Sequence, residues 1–159
     1  MFPGQGTQVQ GMGKSLYNQS PLFKEHLDKC IDICSITFKF DLKYLLFNAD
    51  ETLNHTENTQ IALFSIAYAM AKSLQELGIK VDGLIGHSIG ELAAATVAGV
   101  FDLPAALKVV LIRGKVMQQQ QAGSMLAVNS AIEDIAHLLD SNVVLSASNT
   151  PHSLTLSGQ

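Results

Sequence analysis

The stretch Gly86-His87-Ser88-Ile89-Gly90 constrains this chain more than any other. Val81, Leu84 and Ile85 precede it and read as a buried strand entering a sharp turn. Glu91 to Ala98 follow with the alanine-rich pattern of a helix, closed by Gly99. Strand, Gly-x-Ser-x-Gly and helix in that order is the arrangement of a nucleophile elbow. The residue types suit so tight a turn, because a Cβ at either glycine would crowd the backbone or the packed helix. The turn lifts the serine hydroxyl clear of the sheet, and the first amides of the helix face developing negative charge. The pentapeptide alone recurs by chance. Its strand and helix flanks make Ser88 the candidate nucleophile rather than one residue of a glycine turn.

The segments around this elbow are mostly helical in period. Ser20 caps a helix with Pro21 at its first position, running through Phe23, Leu27, Cys30, Ile31 and Cys34. Asp41 to Phe47 reads as a shorter helix. Asn58 or Thr59 is expected to cap the next, whose apolar positions run from Ile61 to Leu77 and end at Gly78. Asp102 caps another, with Pro104 in its first turn and Leu107, Val110, Leu111 and Val116 along it. Helices around one central strand predict α/β packing. After Ala122-Gly123 the pattern changes to a strand (Met125 to Val128), a helix (Ile132 to Leu139) and a strand (Val143 to Ala147). A turn at Asn149-Thr150-Pro151 and a strand from Ser153 to Leu156 complete it. That β-α-β-β order is the front of a ferredoxin-like unit without its last helix and strand.

Composition narrows the classes of function. At 159 residues the chain fits one domain or part of a larger one, and its 47% hydrophobic content supports a real core. Only 15% of residues are charged, which predicts apolar surface to be covered by further chain or a partner. A net charge of −4 with no basic cluster argues against nucleic acid. The longest apolar stretch, Ile61 to Ala71, is too short to span a bilayer, and Phe2-Pro3-Gly4 opens without a signal-peptide pattern. Cys30 and Cys34 lie one turn apart on a helix, where they read as core thiols rather than a disulfide or metal pair. A cytoplasmic setting is the expectation.

Seven ordered stretches carry a resemblance. They are FPGQGTQ at Phe2 to Gln8, GMG at Gly11 to Gly13, TQIALF at Thr59 to Phe64 and GHSIGELAAATVAGVFDL at Gly86 to Leu103. RG…MQ at Arg113 to Gln118, GSMLAV at Gly123 to Val128 and SNTPHSLTLSG at Ser148 to Gly158 complete the set. With them the chain resembles the malonyl-CoA:acyl-carrier-protein transacylase family, especially the acyltransferase domains of modular polyketide synthases. The resemblance implies an α/β-hydrolase-like acyltransferase core over residues 1–123. It implies the first part of an inserted ferredoxin-like subdomain over residues 124–159, both incomplete.

The resemblance implies residue roles as well. Ser88 would take a malonyl group from coenzyme A as an ester and pass it to the phosphopantetheine thiol of an acyl carrier protein, in fatty acid or polyketide biosynthesis. The backbone N–H groups of Gln5 and Ile89 would form the oxyanion hole. Because that donor is main chain, substitution of the Gln5 side chain is expected to be a poor test of it. Arg113 would hold the free carboxylate of the acyl group, since a guanidinium can make two parallel charge-assisted bonds. The alternative reading is a solvated helix arginine, although Arg113 lies among Val109, Val110, Ile112 and Val116. Gln60 would line the acyl pocket or act as a local helix cap. His87 would flank the nucleophile and order the site. Asn149 would touch the pocket or serve only its turn. An aliphatic residue at Ile89 accompanies malonyl rather than methylmalonyl use in this family.

Partners implied are malonyl-CoA, an acyl carrier protein and the remainder of a synthase, with no nucleic acid and no membrane. Coenzyme A thioester is substrate, no cofactor is tightly bound and no metal is used. A serine needs a base to take its proton, and none of His26, His55, His137 and His152 fits that place in the family's chain order. Residues 1–159 are therefore expected to turn over little by themselves. A serine esterase with the same elbow, or an inactive binding piece, are the alternatives.

Overall fold

The computed structural model describes residues 1–48 and 50–158, which form two compact units, Met1–Gln119 and Gln120–Gln159. Gln159, the end of the second expected domain, lies outside the described residues. No helix among the described residues is long and apolar enough to cross a membrane.

The first unit is built on helices. In order they are α1 (Lys14–Gln19), α2 (Pro21–Phe38), α3 (Leu42–Phe47), α4 (Thr56–Glu76), α5 (Ile89–Val97) and α6 (Leu103–Gln118), with a 3-10 turn at Glu51–Asn54 before α4. α4 is the hub and packs against α2, α5 and α6. Phe23, Leu27, Cys30 and Cys34 of α2 meet Ile61, Ala62, Phe64 and Ala69 of α4 in one core. Ala93 and Val97 of α5 and Leu107 and Val110 of α6 belong to the same core. Two buried serines in α4 are satisfied within the helix, Ser65 on the Ile61 carbonyl and Ser73 on the Ala69 carbonyl, at 2.8 and 2.7 Å.

Local chemistry sets the starts of α2 and α6. Ser20 Oγ accepts from the Phe23 N–H at 3.3 Å, with Pro21 opening α2. Asp102 accepts from the Ala105 N–H at 2.7 Å and starts α6. The start of α4 differs from expectation. The helix begins at Thr56, and neither Asn58 nor Thr59 caps it. Both side chains instead satisfy carbonyls of the preceding 3-10 turn: Asn58 Nδ2 donates to Thr52 and Thr59 Oγ1 to Leu53, at 2.9 and 2.6 Å. With those carbonyls met, the helix can start nearly a turn earlier.

The strand expected at Val81 to Ile85 is also different. Among the described residues it forms no ladder, only one parallel bridge between Phe2 and Gly86. Phe2 N–H donates to the Ile85 carbonyl at 2.8 Å, and His87 N–H to the Phe2 carbonyl at 3.1 Å. A strand buries its side chains only between neighbours; with one short partner, Val81 and Ile85 stay 49% and 63% exposed. An apolar cleft of about 440 Å³ opens beside this segment, walled by Phe2, Leu63, Ile66, Met70, Val81 and Leu84.

In the second unit β1 (Ser124–Val128), β2 (Val143–Thr150) and β3 (Ser153–Gly158) form an antiparallel sheet in the order β1-β3-β2. The expected helix from Ile132 to Leu139 divides into α7 (Ile132–Ile135) and a 3-10 turn at Ala136–Leu138. The expected turn at Asn149-Thr150-Pro151 moves on to Pro151 and His152, because Thr150 still pairs with Ser153. Leu154 and Leu156 alternate inward from β3 and pack with Ile135.

Candidate functional site

The elbow forms between the bridge at Gly86 and the first turn of α5. Ser88 sits at φ 54°, ψ −116°, a backbone region that an L-residue enters at a cost of about 1–3 kcal/mol. Turn bonds hold it there: Gly90 N–H donates to the His87 carbonyl at 2.9 Å and Glu91 N–H to the Ser88 carbonyl at 3.0 Å. The two flanking glycines are required by close approach. A Cβ on Gly86 would lie 2.1 Å from the Gly90 carbonyl carbon, and one on Gly90 would lie 2.4 Å from the Phe2 carbonyl oxygen. The N-terminal segment therefore runs directly against the elbow. At Gly4 a Cβ would stand 2.7 Å from His87 Nδ1 and 3.5 Å from Ser88 Cβ. Residue 5 follows at that point, which brings the Gln5 backbone beside the serine. Ile89 is the first residue of α5, so its N–H has no acceptor one turn back in the helix.

A chain of side chains then leads from the serine into the helical core. Arg113 of α6 is half-buried, and its Nη2 donates to Ser88 Oγ at 3.1 Å. Its Nη1 donates to Gln60 Oε1. Gln60, fully buried on α4, passes its own Nε2 to Gln5 Oε1 at 2.9 Å. Gln5 Nε2 donates to Thr56 Oγ1 at 3.3 Å, and the Thr56 N–H donates to Gln118 Oε1 at 2.7 Å. Among the described residues no carboxylate pairs with Arg113; its partners are neutral oxygens. A half-buried guanidinium with neutral partners is an open place for an anion. Gly114 makes the geometry reachable, because a Cβ there would meet Glu57 Cα at 2.9 Å and Glu57 O at 3.0 Å.

The structure thus brings together Gln5, Gln60, Ser88, Ile89 and Arg113, from residues more than a hundred positions apart. Gln60 is not a local helix cap: its side chain spans Gln5 and Arg113. His87 is exposed, with its ring over Gly4. His26 is buried in α2 against Glu76 at 2.8 Å and edge-on to Tyr68, a core arrangement. Asn149 and His152 belong to the second unit. Sequence reasoning misses Thr56, Gly114 and Gln118 as site residues; the signal for the last two is present in the RG…MQ stretch. Burial pushes the Cys34 thiol up to about 12 and raises Cys30 as well, which fits core thiols. No group of three or more His, Cys, Asp or Glu among the described residues could hold a metal.

The family described as the acyl transferase domain matches residues 1–159. Among curated proteins, a phenolphthiocerol/phthiocerol polyketide synthase of Mycobacterium tuberculosis is 39% identical over 159 residues, covering 99% of this chain and 11% of that protein. Among solved structures, the acyltransferase domain from the second module of the salinomycin polyketide synthase superposes with a TM-score of 0.91 at 40% identity. That match covers 99% of this chain and 38% of the other. An acyl carrier protein S-malonyltransferase from Vibrio cholerae superposes with a TM-score of 0.85 at 33% identity, over 99% of this chain and 54% of the other. The chain therefore spans about a tenth of that curated relative.

Proposed function

The chain belongs to the acyl transferase domain family, and on that premise we propose that it carries the nucleophile and acyl-recognition half of a malonyl transferase acting on an acyl carrier protein. Ser88 attacks the thioester carbonyl of malonyl-CoA. The carbonyl oxygen becomes an oxyanion that accepts from the Gln5 and Ile89 N–H groups. Its collapse expels the coenzyme A thiolate and leaves malonyl-Ser88. The phosphopantetheine thiol of the carrier protein then repeats the sequence in reverse and regenerates the serine. A base takes the serine proton in the first half and returns one in the second; it is supplied from outside residues 1–159, so these residues alone turn over little.

The observation that carries this reading is Arg113. Its guanidinium lies within bonding distance of Ser88 Oγ and has no carboxylate partner among the described residues. A malonyl ester on Ser88 would put its free carboxylate in that neighbourhood, displacing the neutral contacts with a charge-assisted pair. An esterase has no need of a half-buried cation for its acyl group. Residues 1–123 are read as part of an α/β-hydrolase-like core and 124–159 as the opening of a ferredoxin-like subdomain. The β1-β3-β2 order supports the second reading, and the apolar cleft beside Val81 supports a sheet that further chain extends.

The test uses the complete protein that contains this chain. Isolated malonyl-enzyme is mixed with a carrier protein bearing phosphopantetheine. Appearance of malonyl-carrier protein supports the reading; release of free malonate with no transfer makes the protein an esterase.

A further inference from the structure

The side chain of Gln5 has two partners that an oxyanion donor made of backbone alone does not call for. Its Nε2 donates to Thr56 Oγ1 and its Oε1 accepts from Gln60 Nε2. Thr56 and Gln60 are four residues apart on α4, so they share one face and Gln5 straddles a single turn of that helix. Gln8 ties the same loop to Asn54, through its Nε2 at 3.1 Å. The loop from Phe2 to Gly6 has no regular secondary structure beyond the bridge at Phe2. These side-chain bonds attach it to the start of α4.

The start of α4 itself needs an anchor. His55 offers no side-chain cap, and the first N–H groups of a helix lack internal acceptors. The Thr56 N–H finds its acceptor on another helix, at Gln118 Oε1, the last residue of α6 and 62 positions away. Gln118 therefore caps α4 from α6, at the point where Thr56 Oγ1 holds Gln5. Neither acyl recognition at Arg113 nor attack by Ser88 makes direct use of it.

We propose that Gln118 and Thr56 are positioning residues for the oxyanion site. Gln118 holds the first turn of α4, Thr56 holds the Gln5 side chain, and Gln5 thereby presents its backbone N–H to the acyl oxygen. The inference rests on the oxyanion role proposed for that N–H. Such a donor works only at about 3 Å from the oxyanion, and a misplacement near 1 Å costs on the order of a hundred-fold. The oxyanion is common to every acyl group. Loss of the anchor therefore slows malonyl and acetyl donors alike, unlike loss of Arg113.

Gln118→Met keeps the length and removes the acceptor; Gln118→Glu keeps an acceptor oxygen. Both are made in the complete protein, and single-turnover acylation of Ser88 is followed with malonyl-CoA and with acetyl-CoA. Gln118→Met is expected to slow the saturating rate about ten-fold with both donors, with half-saturation unchanged within about two-fold, and Gln118→Glu to recover most of it. Thr56→Val, which keeps the N–H and loses the hydroxyl, gives the same loss with both donors. An undiminished rate in Gln118→Met, a loss confined to malonyl-CoA, or no recovery in Gln118→Glu overturns the proposal. A wild-type protein that forms no acyl-Ser88 overturns the acyltransferase reading, and this inference with it.

Discussion

Replacing Gly114 by alanine separates packing from propensity in one residue. In a helix interior alanine is better than glycine by about 1 kcal/mol, so a freely exposed site would gain stability. Here the new Cβ would stand 2.9 Å from Glu57 Cα, 3.0 Å from Glu57 O and 3.3 Å from Gln60 Cβ. Carbon contacts are favourable from about 3.5 Å, so α6 has to retreat from α4 by roughly half an ångström. Two of the three obstacles are backbone, and no rotamer change relieves them. Overpacking of this kind costs about 1–3 kcal/mol, which leaves a net loss of about 0–2 kcal/mol after the propensity gain. The larger effect falls on the neighbouring Arg113, whose bonds to Gln60 and Ser88 depend on the spacing of the two helices. Half an ångström there corresponds to a loss on the order of ten-fold in malonyl transfer, with acetyl transfer less affected. Urea denaturation of the complete protein gives the first quantity, and acylation rates with both donors give the second. A variant stabilised by the full ~1 kcal/mol with malonyl transfer intact would show that the helices do not approach as described.

Arg113→Ala should cost malonyl transfer roughly 2–5 kcal/mol of barrier and acetyl transfer far less, because acetyl has no carboxylate to lose; equal losses in kcat/KM would return Arg113 to a structural role. Burial works to raise the Asp28 carboxyl, but bonds from Lys24 and from Tyr17 at 2.5 Å hold it below its ordinary value. A depressed folded-state pKa stabilises above the unfolded value and is lost as pH falls through the folded one. Asp28→Asn should therefore destabilise by about 1 kcal/mol at neutral pH, and the gap to wild type should close below about pH 4, as read from melts across pH. Cys30 and Cys34 should resist a thiol reagent at pH 8 in the native protein and react once it is unfolded, since burial holds both thiols protonated.

The elements legible in the residues are those whose chemistry is local. Ser20 with Pro21 and Asp102 with Pro104 mark their helix starts in the chain itself, and the structure begins α2 and α6 there. The start of α4 is not legible in this way, because Asn58 and Thr59 serve carbonyls of a 3-10 turn that only the fold creates. Val81 to Ile85 has the composition of a strand, but a strand is defined by partners, and Phe2 supplies a single bridge. The elbow can be read from five consecutive residues. The grouping of Gln5, Gln60 and Arg113 around it cannot, since no spacing rule connects a loop, α4 and α6; the expectation for them comes from resemblance. Thr56 lies outside both sources and Gln118 enters only as one residue of the RG…MQ stretch, because a helix capped from another helix leaves no mark of that role in either local sequence.

The most direct measurement is the intact mass of the complete protein after incubation with malonyl-CoA, beside that of Ser88→Ala. Ser88 already sits in the strained elbow, 3.1 Å from the guanidinium of Arg113. On this mechanism the wild-type protein gains one malonyl adduct and the variant none. An adduct that persists in Ser88→Ala would place the nucleophile elsewhere and contradict it.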